Sequence, residues 1–182
     1  MSLTMTFGAF FDTRKTLLLA PLVSSSWSLV YAWDQHVFFN HLTHPELCQR
    51  SNVILPTYWR VMFPLGITQV VSLLGATTWA SVGAIVWHKD LLQRRGSLLW
   101  YAGAAGFAVG HLLFVPLIAP LIKYMMDDEG GRPLERKRAE PGDRNVEAQQ
   151  SWLEYNMLRL LTTDLGAWVC CVVAVGKTFS LE

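Results

Sequence analysis

Four apolar runs, each long enough to cross a bilayer, limit what this chain can fold into. They cover about residues 16–33, 61–87, 98–122 and 156–176, and about 20 apolar residues suffice for one helical span. Charge is nearly kept out of them. Only 16% of the residues are charged, against roughly 25% in a soluble domain, and nearly all of these gather before residue 16 and in 34–60, 88–95 and 123–155. Backbone N–H and C=O groups inside hydrocarbon must bond within their own segment, so such runs are helices. The predicted fold is all-α, a four-helix transmembrane bundle forming a single integral membrane domain over 1–182. Both termini and the short basic loop 88–97 fall on one side, and the polar loops 34–60 and 123–155 on the other.

Several function classes drop out at this point. The net charge is +1 with no strongly basic stretch, so nucleic acid is not an expected partner; the lipid bilayer is. Cys48, Cys170 and Cys171 lack metal or redox spacing and read as packed small residues. His36, His41 and His44 share the first polar loop, but their spacing does not match a zinc pattern. No metal is expected, and no flavin, haem or nicotinamide motif suggests a cofactor. The run from Thr16 to Trp33 lacks a small-x-small cleavage site and reads as an uncleaved first span. The basic residues on the terminal side (Arg14, Lys15, Lys89, Arg94, Arg95 and Lys177) suggest cytoplasmic termini.

The spans also carry polar features. Ser24, Ser28, Tyr31 and Gln35 recur on one face of span one, either bonding a neighbouring helix or lining a cavity. Pro21 falls in the first turns of that span, where a missing donor is tolerated. Gly106 and Gly110 form a GxxxG pair, which predicts close helix packing and leaves a homo-oligomer open. His111 sits mid-span, a costly position unless it faces the bundle interior. Pro116 and Pro120 are expected to bend the end of span three. The run Asp127 to Pro133 and the turn Pro141-Gly142-Asp143 mark a solvated excursion, and Glu147 to Tyr155 can form an amphipathic helix leading into span four.

The densest cluster opens span four. At about 100° per residue, Trp152, Asn156, Arg159 and Thr163 share one helical face. A buried guanidinium donates in a planar fork and suits an oxyanion. Asparagine adds a neutral donor, and a histidine near neutral pKa can move a proton. His36, His111, Asn156 and Arg159 are therefore the candidate catalytic residues, with either histidine as the base. They suit removal of an acidic C–H or O–H proton and stabilisation of the enolate or phenolate. Trp152, Tyr31 and Trp33 are candidate binding surfaces for a flat, lipophilic small molecule. Duller roles stand beside these: Arg159 can snorkel or pair with Asp164 or Glu154, Asn156 can bridge helices, and Trp152 can anchor at the interface. Asp164, five residues after Arg159, lies about 140° around an ideal helix and is expected to face elsewhere and bond a neighbouring span.

The layout, with an aromatic and histidine-bearing exit from span one and Trp-x3-Asn-x2-Arg opening span four, resembles the fungal anthrone oxygenase family. The resemblance covers the layout of nearly the whole chain and is sharpest at Trp152, Asn156 and Arg159. It implies a membrane enzyme of fungal secondary metabolism, in the endoplasmic reticulum, that oxidises an aromatic polyketide with O2 and without a cofactor. His36 or His111 would generate a carbanion, and Arg159 and Asn156 would hold the oxyanion. The same residues would also serve a cyclase, an isomerase or an epoxide-opening enzyme acting on a polyketide or terpenoid. A scaffold or accessory subunit held together by its glycine faces is the non-catalytic alternative.

Overall fold

The computed structural model describes residues 12–128 and 145–180. Every element there is helical, and four helical segments are long and apolar enough to cross a membrane: Thr13–His41, Cys48–Arg94, Leu98–Met126 and Asn145–Phe179. The chain is a four-helix transmembrane bundle.

Helix α1 (Thr13–His41) starts where Asp12 accepts from the backbone N–H groups of Arg14 and Lys15, an N-cap that satisfies two of the donors a helix start leaves over. That start corrects the expectation for Pro21, which lies two turns inside the helix and is buried. Ser24, one turn on, bonds back to the carbonyls of Ala20 and Pro21 and across to Thr77 of the second helix at 2.8 Å. That end of the polar stripe holds helices together.

Helix α2 (Cys48–Arg94) is 47 residues long, with Pro56 and Pro64 inside it and a non-helical residue at His88. At about 1.5 Å per residue it runs near 70 Å, more than twice the hydrocarbon thickness. The expected polar loop 34–60 is therefore mostly helix, since α1 continues to His41 and α2 begins at Cys48. Polarity alone points to a loop there. The physical reason for helix is burial: Phe39, Leu55 and Trp59 are at most 2% exposed and form a core with Met125, Val146 and Trp152. Phe39 and Trp59 stack at 4.9 Å, and Trp152 meets both edge-on at 5.1 and 5.3 Å. The two helix extensions thus roof the bundle.

The third span is α3 (Leu98–Gly110), a 3-10 turn (His111–Phe114) and α4 (Val115–Met126). Pro116 cannot donate to Leu112, and its ring crowds that carbonyl, so the turn ahead of it tightens. Pro116 acts where expected, and the tightened turn carries His111, whereas Pro120 lies within the helical run of α4. The fourth span is α5 (Asn145–Arg159), a π turn (Leu160–Asp164) and α6 (Leu165–Phe179). Of the expected pair, Gly110 meets span four, where an added Cβ would lie 3.5 Å from a Thr163 methyl, and closer approach occurs at other glycines. A Cβ on Gly106 would meet nothing within 4 Å, whereas one on Gly103 would sit 3.0 Å from the Cys170 sulfur and one on Gly166 2.8 Å from the Phe107 ring. The run Glu129 to Pro133 and the turn Pro141-Gly142-Asp143 lie outside the described residues.

Candidate active site

The four predicted spans contain only three residues of the types Asp, Glu, Lys, Arg and His: His111, Arg159 and Asp164. All three meet. His111 Nδ1 lies 2.9 Å from Asp164 Oδ1, and Arg159 Nε lies 3.4 Å from Asp164 Oδ2. Arg159 Nη2 also donates to Asn156 Oδ1 at 2.7 Å, while Asn156 Nδ2 donates to the Ala32 carbonyl on α1 at 3.3 Å. His111, Arg159 and Asp164 are each 6% exposed, and Asn156 is fully buried. A lone charge at such depth is costly, and an ion pair further tied by hydrogen bonds is the arrangement that tolerates it.

The expected direction of Asp164 is corrected by the π turn. On an α-helix, residues five apart diverge by about 140°; in an i→i+5 turn they sit over one another. The turn over Leu160–Asp164 therefore returns Asp164 to the face of Arg159, while Asp164 also bonds the neighbouring span as expected. π turns are frequent at functional sites.

An apolar cleft of about 290 Å³ adjoins this cluster. One wall is α2 (Trp59, Met62, Gly66, Ile67, Val70 and Val71), the other the 3-10 turn and α4 (His111, Leu112, Val115, Ile118 and Ile122), with Gln35, Trp152 and Arg159 also lining it. Its rims are apolar and outward-facing: Val71 is 56% and Leu112 52% exposed. A lipophilic molecule can therefore reach His111 and Arg159 from the hydrocarbon. At the far end lie Lys123 and Asp127, which pair with each other. His111 to Lys123 is twelve residues, about 18 Å along the helix.

The site is chemically asymmetric. A neutral imidazole bonded through Nδ1 to a carboxylate carries its proton on Nδ1, which leaves Nε2 as a lone pair. Asp164 orients that imidazole and would stabilise its cation, the role a buried carboxylate has in hydrolase triads. Arg159 neutralises the carboxylate and brings a cation to the cleft wall. Among the described residues no group of three or more His, Cys, Asp or Glu side chains is placed to hold a metal ion.

The other candidates fall into two groups. Trp152 lines the cleft with Arg159. Asn156 holds Arg159 and bridges to α1, with both ends of its amide committed to protein. The Tyr31 hydroxyl is 3.5 Å from where a Cβ on Gly66 would stand, just behind the wall. His36 lines a separate open groove between α1 and α5 with Asn40, Gln150 and Glu154 and stacks on the 52%-exposed Trp33. The structure does not bring His36 and Trp33 to the cleft. Gln35 is the member of the span-one stripe that lines the cavity; Asp164 and Trp59 are not among the candidates the sequence offers, although an intramembrane Asp with one Arg and one His for company is itself a signal.

No family model matches the chain, and no solved structure matches it. Among curated proteins, the epoxidase gkaX of Penicillium citrinum is 32% identical over 165 residues, covering 88% of this chain and 92% of that protein. The epoxidase pydX of Acremonium sp. is 27% identical over 176 residues, covering 90% of this chain and 94% of that protein. A probable epoxidase, scpX of Mollisia scopiformis, is 29% identical over 169 residues, covering 90% and 96%. With identity spread over nearly the full length of both chains, this protein belongs to the family of these fungal epoxidases.

Proposed function

We propose that the protein is a membrane oxygenase of secondary metabolism in which His111, oriented by Asp164, deprotonates a lipophilic, electron-rich substrate that then reacts with O2. The observation that carries this reading is the His111 Nδ1–Asp164 contact at 2.9 Å beside a cleft open to lipid. The name epoxidase borne by the relatives supports oxygen insertion.

The substrate class follows from the chemistry. The base takes an acidic O–H or C–H proton at His111 Nε2, and the resulting phenolate or carbanion carries the electrons that reduce oxygen. Carbon bonds one oxygen atom to give a peroxide anion beside Arg159, whose cation offsets the charge. In a hydroquinone, the peroxide takes the proton back from His111, the neighbouring ring carbon, driven by the remaining enol, attacks the carbon-bound peroxide oxygen, and the O–O bond breaks; the terminal oxygen leaves as hydroxide and takes the enol proton to become water. Hydroquinone and O2 become quinone epoxide and water. In an anthrone the same peroxide loses water to give the quinone, so the finer anthrone-oxygenase reading uses the same residues and differs only in substrate. Either way the substrate supplies the electrons.

Microsomes bearing the protein, given 1,4-naphthohydroquinone or emodin anthrone under air and under nitrogen, test the reading. Oxygen-dependent epoxide or quinone above the level of empty microsomes is expected, and its absence from both probes would contradict the substrate class.

A further inference from the structure

The inner stripe of α5 is polar where a packed helix is ordinarily apolar. Asn145, Gln149, Trp152, Asn156 and Arg159 recur at alternating four- and three-residue steps, within an arc of about 80° over about 21 Å of helix. All five are at most 6% exposed. Among the described residues, seven buried side-chain polar atoms have no hydrogen-bond partner, and five belong to this line: Asn145 Oδ1, Gln149 Nε2, Trp152 Nε1, Arg159 Nε and Asp164 Oδ2. The last two face each other at 3.4 Å without hydrogen-bond geometry. Their neighbours are held firmly: Gln149 Oε1 accepts from Trp59 Nε1 at 2.8 Å, and Asn145 Nδ2 donates to the Asn52 carbonyl and to Asp128 Oδ1. Buried polar groups are almost always partnered, by protein or by ordered water.

We propose that this stripe is a water-binding path linking the buried Asp164–His111 pair to the half-buried Asp128 at the mouth, and that protons pass along it. The proposal rests on the base role given to His111. Gln149, Trp152 and Arg159 offer donors that fix the water oxygens; the waters carry the proton, because an indole and a guanidinium do not release theirs. The path answers a need of the site. Turnover returns the His111 proton to the peroxide oxygen that departs as hydroxide, but the imidazole must be neutral before each cycle and the water formed must leave, and the cleft is mostly apolar over the roughly 18 Å between His111 and the Lys123–Asp127 pair. Only proton transfer is involved, so no bond other than O–H and N–H forms or breaks.

The test uses the full chain in nanodiscs with the indole nitrogens 15N-labelled, eight tryptophans in all. On transfer to D2O, the Trp152 N–H is expected to exchange more than a hundredfold faster than that of Trp59, which is bonded to Gln149. In Gln149→Leu, Trp152 exchange is expected to slow at least tenfold, and turnover of emodin anthrone to fall at least tenfold with a larger solvent deuterium effect. Slow Trp152 exchange in the wild type would overturn the path outright. Fast exchange unaltered by Gln149→Leu would assign the water to the cleft and also overturn it. A Gln149→Leu protein that slows exchange but turns over at the wild-type rate would overturn the proton role. Full turnover in His111→Ala would instead defeat the base reading and leave the exchange result standing.

Discussion

Removing the Asp164 carboxylate shows how much of the bundle depends on the buried pair. Asp164→Ala deletes the 2.9 Å contact with His111 and the 3.4 Å contact with Arg159, leaving the guanidinium with the Asn156 amide at 2.7 Å. Both partners are 6% exposed, so solvent screens little. Stranding one charge of a buried pair costs about 3–5 kcal/mol. For a chain of this size each kcal/mol moves the melting temperature by about 2–4 °C, so a fall of roughly 6–20 °C is expected. Tryptophan fluorescence during a thermal ramp in detergent measures it. The second arm is Asp164→Leu combined with Arg159→Met, which removes both charges and is expected to recover most of the loss, because apolar replacement of a buried pair is often neutral. Turnover should stay absent. A shift below about 2 °C in Asp164→Ala, or strictly additive effects in the double variant, would refute the claim that these charges depend on each other.

Three further outcomes follow from particular contacts. Gly166→Ala sets a Cβ 2.8–3.0 Å from the Phe107 ring and should destabilise by about 1–3 kcal/mol in the same thermal assay. Gly66→Leu projects a side chain into the cleft from a position where Met62 can yield to the Cβ, so kcat/KM should fall roughly tenfold or more with the melting temperature nearly kept. Deleting the exposed Thr162 turns the π turn into a plain helix and leaves Asp164 four residues from Arg159, about 40° away. That deletion should retain fold and pair, whereas one alanine inserted after Thr162 should lose both, as read by melting temperature.

Much of the fold was legible because the bilayer simplifies the problem. Runs 16–33, 61–87, 98–122 and 156–176 can only be helices in hydrocarbon, and the fold has a membrane-length helix over each. Less legible was 34–60, where Asp34, His41 and His44 look like a solvated loop. Their neighbours Phe39, Leu55 and Trp59 form the roof only when α5 is packed against them, and that contact is invisible to local pattern. Arg159, Asn156 and Trp152 were found from their shared helical face. Asp164 bonds a neighbouring span as the sequence suggests, but the 100° rule turns it away from Arg159, because that rule assumes a regular helix and the π turn breaks it. His111 and His36 looked equivalent from sequence; the 3-10 turn ahead of Pro116 puts one beside Asp164, and α1 carries the other to an outer groove.

The most direct test of the account is 18O2 labelling with the wild type and with His111→Ala, a variant that leaves Arg159 and Asp164 paired. Microsomes are given 1,4-naphthohydroquinone and emodin anthrone, and the products are read by mass. One 18O atom in the epoxide or quinone, formed above the empty-microsome level and reduced at least a hundredfold by His111→Ala, is the result the account predicts. Labelled product formed at the wild-type rate by His111→Ala would contradict it.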